Sequence, residues 1–202
     1  MISSIESDQR FIQFLNKFLP FSQEEYDQLV KPYVQVRKFD KKVIILHAGE
    51  IENYINFIVS GLVRKYYKKG KQEINTQISF EDQIIHSQES FHSRKISEYT
   101  VETIEPTVML SITYDDLEKA YAASHKMEHM GRLIVTTAMT IKDMWHTQIV
   151  ALSTRERFIK FIIKNPQLVQ RVPQKFLASF LSIKPETFSR FKHLLKDASR
   201  KS

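Results

Sequence analysis

The sequence predicts an α+β chain in three parts: a β-rich segment behind two short helices, a long helical segment, and a basic helical tail. Three observations carry this expectation. Short β-branched and aromatic runs recur from Val34 to about Thr113, separated by turn residues. A 3–4–3–4 apolar spacing then replaces the period of two. Charge, finally, is divided unevenly. Residues 1–150 hold 18 basic and 20 acidic residues, whereas 151–202 hold 12 basic and 3 acidic, a balance of +9 against +7 for the whole chain.

Taken in order, Ser7 to Val30 reads as two short helices. Phe11, Phe14, Leu15 and Phe18 recur at helical spacing, Pro20 stops the run, and Ser22-Gln23-Glu24-Glu25 has the form of a capping box. Strands follow at Val34–Phe39, Val43–Leu46, Ile55–Val59, Leu62–Tyr67, Ile74–Ile78, Tyr99–Ile104 and Val108–Thr113. Lys69-Gly70-Lys71 turns one pair into a hairpin, and Gly49, Gly61 and Gly70 occupy turn-like positions. Strands so short and so regularly spaced suit a sandwich or small barrel. Glu81 to Ser97 is polar and aperiodic, the mark of a functional loop. Tyr114-Asp115-Asp116-Leu117 opens a helical region with acidic residues in its first turn. Met127, Met130, Ile134, Thr137, Ile141, Met144 and Gln148 then form a seam, able to bury against its own domain or an identical helix. Thr154 to Ile163 is a further amphipathic helix, ended by Asn165-Pro166.

Composition excludes several classes. The 202 residues contain no cysteine, so disulfide frameworks, thiolate zinc sites and thiolate-held iron–sulfur clusters are ruled out. The N-terminus has no basic stretch followed by an apolar run, and no segment has the length and apolarity of a membrane span. A cytoplasmic location without membrane association is expected. No nucleophile–base arrangement or phosphate-cradling glycine loop is present, so an enzyme is not expected. His125 and His129 share a helix face but make an incomplete metal site. His47, His86 and His92 show no convergence in sequence, and Met127, Met130 and Met144 read as packing. No metal or cofactor is therefore expected.

The tail holds the strongest pattern. Pro173 precedes Phe176, Leu177, Phe180 and Leu181 on one helix face; Ser182-Ile183-Lys184 is of turn length; Pro185 opens a second helix with Phe188, Phe191, Leu194 and Leu195 facing inward. Ala178 is small enough to let the helices cross closely. This is the layout of a helix-turn-helix, whose second helix enters the DNA major groove. Glu186, Thr187, Ser189 and Arg190 lie where bases would be read, since Arg pairs with guanine O6 and N7 and Glu accepts from the cytosine amine. Arg171, Lys175, Lys184, Lys192, Lys196, Arg200 and Lys201 are candidates for phosphate contacts.

The run Leu152–Phe158, with Asn165-Pro166 and then Val172 through Arg190, resembles the C-terminal domain of the cyclic-AMP receptor protein/FNR (CRP/FNR) family, in particular its Bacteroidetes-like branch. Glu-Thr-x-Ser-Arg is that family's recognition-helix signature, which implies base reading by Glu186 and Arg190. Pro185 stands where several relatives carry a further basic contact, and Ser182 replaces a usual turn glycine. Ile44–Glu50 and Tyr54–Arg64 resemble the opening strands of the family's sensor domain. The resemblance implies a cyclic-nucleotide-binding-type antiparallel β-barrel (a double-stranded β-helix) over 1–113. It further implies a dimerisation helix and hinge over 114–150, with Met127, Met130, Ile134, Ile141 and Met144 in the seam, and a winged helix-turn-helix over 151–202. It implies a homodimer reading a pseudo-palindrome in double-stranded DNA and meeting RNA polymerase.

Members that bind cyclic AMP share a Gly-Glu pair for the ribose and an Arg-Ser/Thr pair for the cyclic phosphate. Here no glycine occurs between Gly70 and Gly131, and the second pair reads Ile96-Ser97 with Arg94 and Lys95 displaced upstream. A glycine-free loop offers its amides to a phosphate poorly, so cyclic AMP is not the expected effector. Arg94, Lys95 and Ser97 remain the candidates for an effector pocket. Two alternatives stay open: a ligand-binding module whose tail makes protein contacts, and a cupin-like metalloenzyme using histidines.

Overall fold

The structure, a computed structural model, describes residues 3–191. The predicted opening is present: α1 (Ser4–Leu15) and α2 (Gln23–Leu29) are each capped by a serine. Ser22 accepts from the Glu25 N–H while Glu25 accepts in return from the Ser22 N–H, the reciprocal box read from sequence. A 3-10 turn at Lys31–Tyr33 leads into eight strands: β1 (Val34–Phe39), β2 (Ile44–Leu46), β3 (Tyr54–Ser60), β4 (Val63–Lys69), β5 (Gln72–Ser79), β6 (Ile84–Ile85), β7 (Thr100–Thr103) and β8 (Thr107–Thr113). They form two four-stranded sheets, ordered β1-β8-β3-β6 and β2-β7-β4-β5. The expected closed barrel is therefore a sandwich. Its two sheets share no strand, and their inner faces bury Leu46, Ile58, Val63, Ile85, Val101 and Met109 between them.

On the first sheet, β8 is central. It pairs antiparallel with β1 from Val34↔Ile112 to Phe39↔Thr107, and with β3 from Tyr54↔Thr113 to Ser60↔Val108. Gly61 turns the chain after β3 at φ +108°, and a β-carbon there would collide with the backbone of Pro106 and Thr107. Only glycine satisfies both demands. A second core lies where α1, α2 and the connection between them pack Phe14, Leu15, Phe21 and Tyr26 with Phe57, Val59 and Leu110.

The 81–97 stretch, expected to be irregular, contains β6 and the short helix α3 (Gln88–Ser93). Its elements are held by nonlocal bonds, which leave no local periodicity. The helical region after β8 is likewise not one helix. α4 (Tyr114–Ala123) ends at Ser124, which is extended at φ −153°, and α5 (His125–Ala151) follows. Met127 and Met130 are buried in the chain's own core and Ile134 packs against it, so this end of the predicted seam is occupied within one chain. Ile141 and Met144 are 62% and 58% exposed.

The chain divides into two compact units, residues 1–67 with 77–137, and residues 68–76 with 138–202. In the second, α6 (Thr154–Lys164), α7 (Pro166–Arg171), α8 (Gln174–Phe180) and α9 (Pro185–Phe191) enclose Phe158, Ile162, Leu168, Leu177, Leu181 and Phe188. Trp145 of α5 stacks on Phe180 at 4.7 Å, and Phe158 meets Phe188 edge-on at 5.1 Å. No strand follows β8 among the described residues, so the wing of the expected winged domain is not among them. No helix of the described residues is long and apolar enough to cross a membrane.

Candidate functional site

Helices α8 and α9 are joined by Leu181-Ser182-Ile183-Lys184. Ser182 donates its N–H to the Ser179 carbonyl (3.0 Å) and Ile183 donates to the Ala178 carbonyl (2.9 Å). This pair of bonds is the Schellman closure of a helix end, and it forces the residue between into the left-handed region: Ser182 has φ +55°. The turn position at which the resemblance implies a glycine thus has the backbone that favours glycine. Ala178 and Leu177, both fully buried, allow α9 to lie close against α8.

Arg157 is the positioning residue of this arrangement. Arg157 is only 7% exposed. Nε donates to the Leu181 carbonyl (2.9 Å), and Nη1 donates to the carbonyls of Ile149 (3.1 Å) and Leu152 (3.2 Å). One cation satisfies the backbone end of α5 and the turn between α8 and α9 together, binding them as a single piece.

The outer face of α9 is polar. Phe188 is fully buried, while Glu186, Ser189 and Arg190 are exposed and Thr187 is half-buried. Arg190 Nη2 donates to Thr187 Oγ1 at 3.4 Å. The four candidate base-reading residues therefore lie on one short helix, opposite the side chain that anchors it. Lys175 and Lys184 are exposed and Arg171 is half-buried, all on the same unit. Lys192, Lys196, Arg200 and Lys201, together with the predicted inward Leu194 and Leu195, lie outside the described residues.

The sensor-loop candidates have different surroundings. Arg94, at φ +56°, donates from Nη1 to the carbonyls of Glu52 (2.8 Å) and Phe91 (3.2 Å) and from Nη2 to Asn53 Oδ1 (2.6 Å). Its guanidinium lies 4.3 Å from the Tyr114 ring centroid. These bonds tie it to the 52–53 corner. Lys95 is exposed, and its carbonyl accepts from Ser90 Oγ. Ser97, 3% exposed, donates to Ser87 Oγ (2.8 Å) and accepts from the Tyr99 N–H (3.0 Å). Arg94, Lys95 and Ser97 thus each make a different set of contacts in this loop. Ile96 is 67% exposed.

The organiser of this loop is a residue that sequence reasoning missed. Glu52 is 3% exposed, and its carboxylate accepts from the N–H groups of Tyr54 (3.0 Å) and Ser87 (3.1 Å), while its own N–H donates to Ser90 Oγ (2.9 Å). Burial raises its pKa, opposed by those bonds. Nothing in Glu50-Ile51-Glu52-Asn53 signals a buried carboxylate, because the loop that encloses it, through Ser87 and Ser90, lies 35 and 38 residues away. His86, one of the three histidines of the β segment, has its Nε2 buried without a hydrogen-bond partner, beside Phe91 and His92. Desolvation pushes its pKa down to about 3, aided by Lys65 and His92. Among the described residues no group of three or more His, Asp or Glu could hold a metal ion.

Residues 36–124 match the family model described as the cyclic nucleotide-binding domain. No curated protein matches the chain by sequence. Among solved structures, the chain is similar to FixK2 from Bradyrhizobium japonicum (18% identity, 82% of this chain and 86% of that one, TM-score 0.68). It is also similar to the catabolite activator protein of Thermus thermophilus (18% identity, 92% and 88%, TM-score 0.57). A third likeness is to a candidate transcriptional regulator of the crp/fnr family from Eubacterium rectale (17% identity, 88% and 85%, TM-score 0.65). At these identities the likeness establishes a shared fold: this chain carries a domain similar to the cyclic nucleotide-binding domain over 36–124, within an architecture that it shares with those proteins over most of its length.

Proposed function

We propose that the chain is a DNA-binding transcription regulator of the CRP/FNR type, acting as a homodimer on a pseudo-palindromic site. One observation carries the reading: α9 presents Glu186, Thr187, Ser189 and Arg190 outward, with Phe188 buried, in a segment whose charge is +9 over 151–202. Arg190 reads guanine, Glu186 accepts from a cytosine amine, and Lys175 and Lys184 meet phosphates, as do Arg171 and, beyond the described residues, Lys192 and Lys196. A wing completes the domain, and the dimer places two recognition helices about 34 Å apart on successive turns of the groove. The protein works in the cytoplasm, meets RNA polymerase and performs no catalysis.

The sensor domain on this reading does not respond to cyclic AMP. Arg94 is committed to the 52–53 corner, Ile96 stands at the position of the phosphate-binding arginine, and the loop contains no glycine. It represents a branch without the usual phosphate cassette.

Selection from random duplexes tests the proposal. Enrichment of a palindromic sequence is expected, and its absence at low salt would refute the reading. Arg190→Ala is expected to relax preference at one base pair of each half-site, costing about 1–3 kcal/mol. Lys175→Ala is expected to weaken all sequences alike, because a phosphate contact carries no base information. Competition binding with single-base variants of the selected duplex checks both.

A further inference from the structure

The hairpin between β4 and β5 carries a charge pattern that the reading above leaves unused. Its tip is Lys68-Lys69-Gly70-Lys71, three exposed lysines around a two-residue turn in which Gly70 takes φ +60°. No ion pair engages these lysines among the described residues. Residues 68–76 belong to the same compact unit as α6–α9, and a specific clasp explains why. Ser179 of α8 accepts from the Asn75 N–H (2.9 Å) and donates to the Glu73 carbonyl (3.1 Å), while the Asn75 side-chain amide donates to the Phe176 carbonyl (3.4 Å). Asn75 is only 3% exposed. Strand β5 is the edge of its sheet, so the Ser179 hydroxyl occupies backbone groups that an edge strand leaves unpaired. Lys175 precedes Ser179 by one helical turn and shares its face.

We infer that the hairpin tip is a second DNA-contact element, in which Lys68, Lys69 and Lys71 neutralise backbone phosphates beside those met by Lys175. The Asn75–Ser179 clasp keeps the tip in register with the recognition helix. Lysine suits this role because it is a compact point charge without the planar fork that reads bases. A docked tip contributes its charge without the ordering cost of a free loop. The partner is duplex DNA, recognised through its phosphates and not through its sequence.

The inference rests on the DNA-binding reading, and one experiment separates them. Affinity of the full-length chain for a mixed-sequence duplex and for the selected duplex is measured across salt concentration. The proteins are wild type, the Lys68→Ala/Lys69→Ala/Lys71→Ala triple variant, Ser179→Ala and their combination. In the triple variant, the slope of log affinity against log salt is expected to become shallower by about 0.9 for each lost phosphate contact. Affinity at low salt should fall at least tenfold on both duplexes, with base preference unchanged. In the Ser179→Ala background the lysine substitutions should matter less. A parallel Lys→Gln triple and a thermal melt guard against misfolding. An unchanged slope in both triples, with wild type binding normally, overturns the inference alone. Tighter binding by the triples or by Ser179→Ala also overturns it, because the hairpin would then be shielding α8. Absence of salt-dependent binding in wild type overturns the underlying reading and this inference together.

Discussion

Ser182 holds the turn between α8 and α9 at φ +55°, where a β-carbon is strained and glycine is not. The requirement comes from the two Schellman bonds, which leave the intervening residue no other conformation. Ser182→Gly is accordingly expected to leave the helix pair intact and to stabilise the fold by up to about 1 kcal/mol, read from denaturant midpoints. A lower midpoint would show that the serine makes a compensating contact. His86 is the second informative residue. Its imidazole is neutral in the fold, with pKa pushed down to about 3, whereas the unfolded chain binds a proton near pH 6.5. A depressed histidine pKa means that the unfolded state takes up more protons as pH falls, so stability is full above pH 6.5 and declines below it. Between pH 7.5 and 5 this residue should cost the fold about 1–2 kcal/mol. His86→Phe, placing a ring beside Phe91, should flatten that part of the profile; melting temperatures at pH 7.5, 6 and 5 check it. An equally steep profile in the variant would contradict the assignment.

At the scale of elements, α5 shows how one periodicity serves two ends. The 3–4 seam is visible in sequence from Met127 to Gln148, but spacing says only that an apolar face exists. The structure assigns its first part to the chain's own core, where Met130 is 2% exposed, and leaves Ile141 and Met144 open. Met130→Ala is therefore expected to destabilise the fold by about 2–4 kcal/mol. On the proposed homodimer, Ile141→Glu with Met144→Glu should leave the intrachain core intact and shift the mass in solution from dimer to monomer. Light scattering over a concentration series reads the second effect; a persistent dimer would move the interface elsewhere. Other elements divide in the same manner. The Ser22–Glu25 capping box and the Gly70 turn were legible because their causes lie within four residues. The break at Ser124 and the strand and helix inside 81–97 were not. Ser124 caps α5 with a weak 3.4 Å bond to the Met127 N–H, a signal no stronger than that of many serines within helices. The 81–97 elements depend on Glu52 and Asn53, more than thirty residues upstream.

For the whole molecule, local chemistry and long-range contact explain different things. Outside 81–97 and the break at Ser124, strand and helix order, the charge contrast between 1–150 and 151–202, and the spacing of the two helices around Ser182 follow from the sequence alone. Each is set by neighbours within a turn or a pleat, where side-chain size, period and backbone freedom act directly. The candidate base-reading face belongs with them, since Phe188 inward obliges Glu186, Ser189 and Arg190 outward on a helix. Tertiary structure alone decided that the strands form two sheets instead of a closed barrel, and that Arg94 turns to the Glu52–Asn53 corner. It also decided that Arg157 joins α5 to the α8–α9 turn, and that Asn75 meets Ser179 across 104 positions. The physical reason is common to all four. Each depends on groups far apart in sequence finding one another, and the partner is chosen by where packing brings the chain together, which no local pattern encodes.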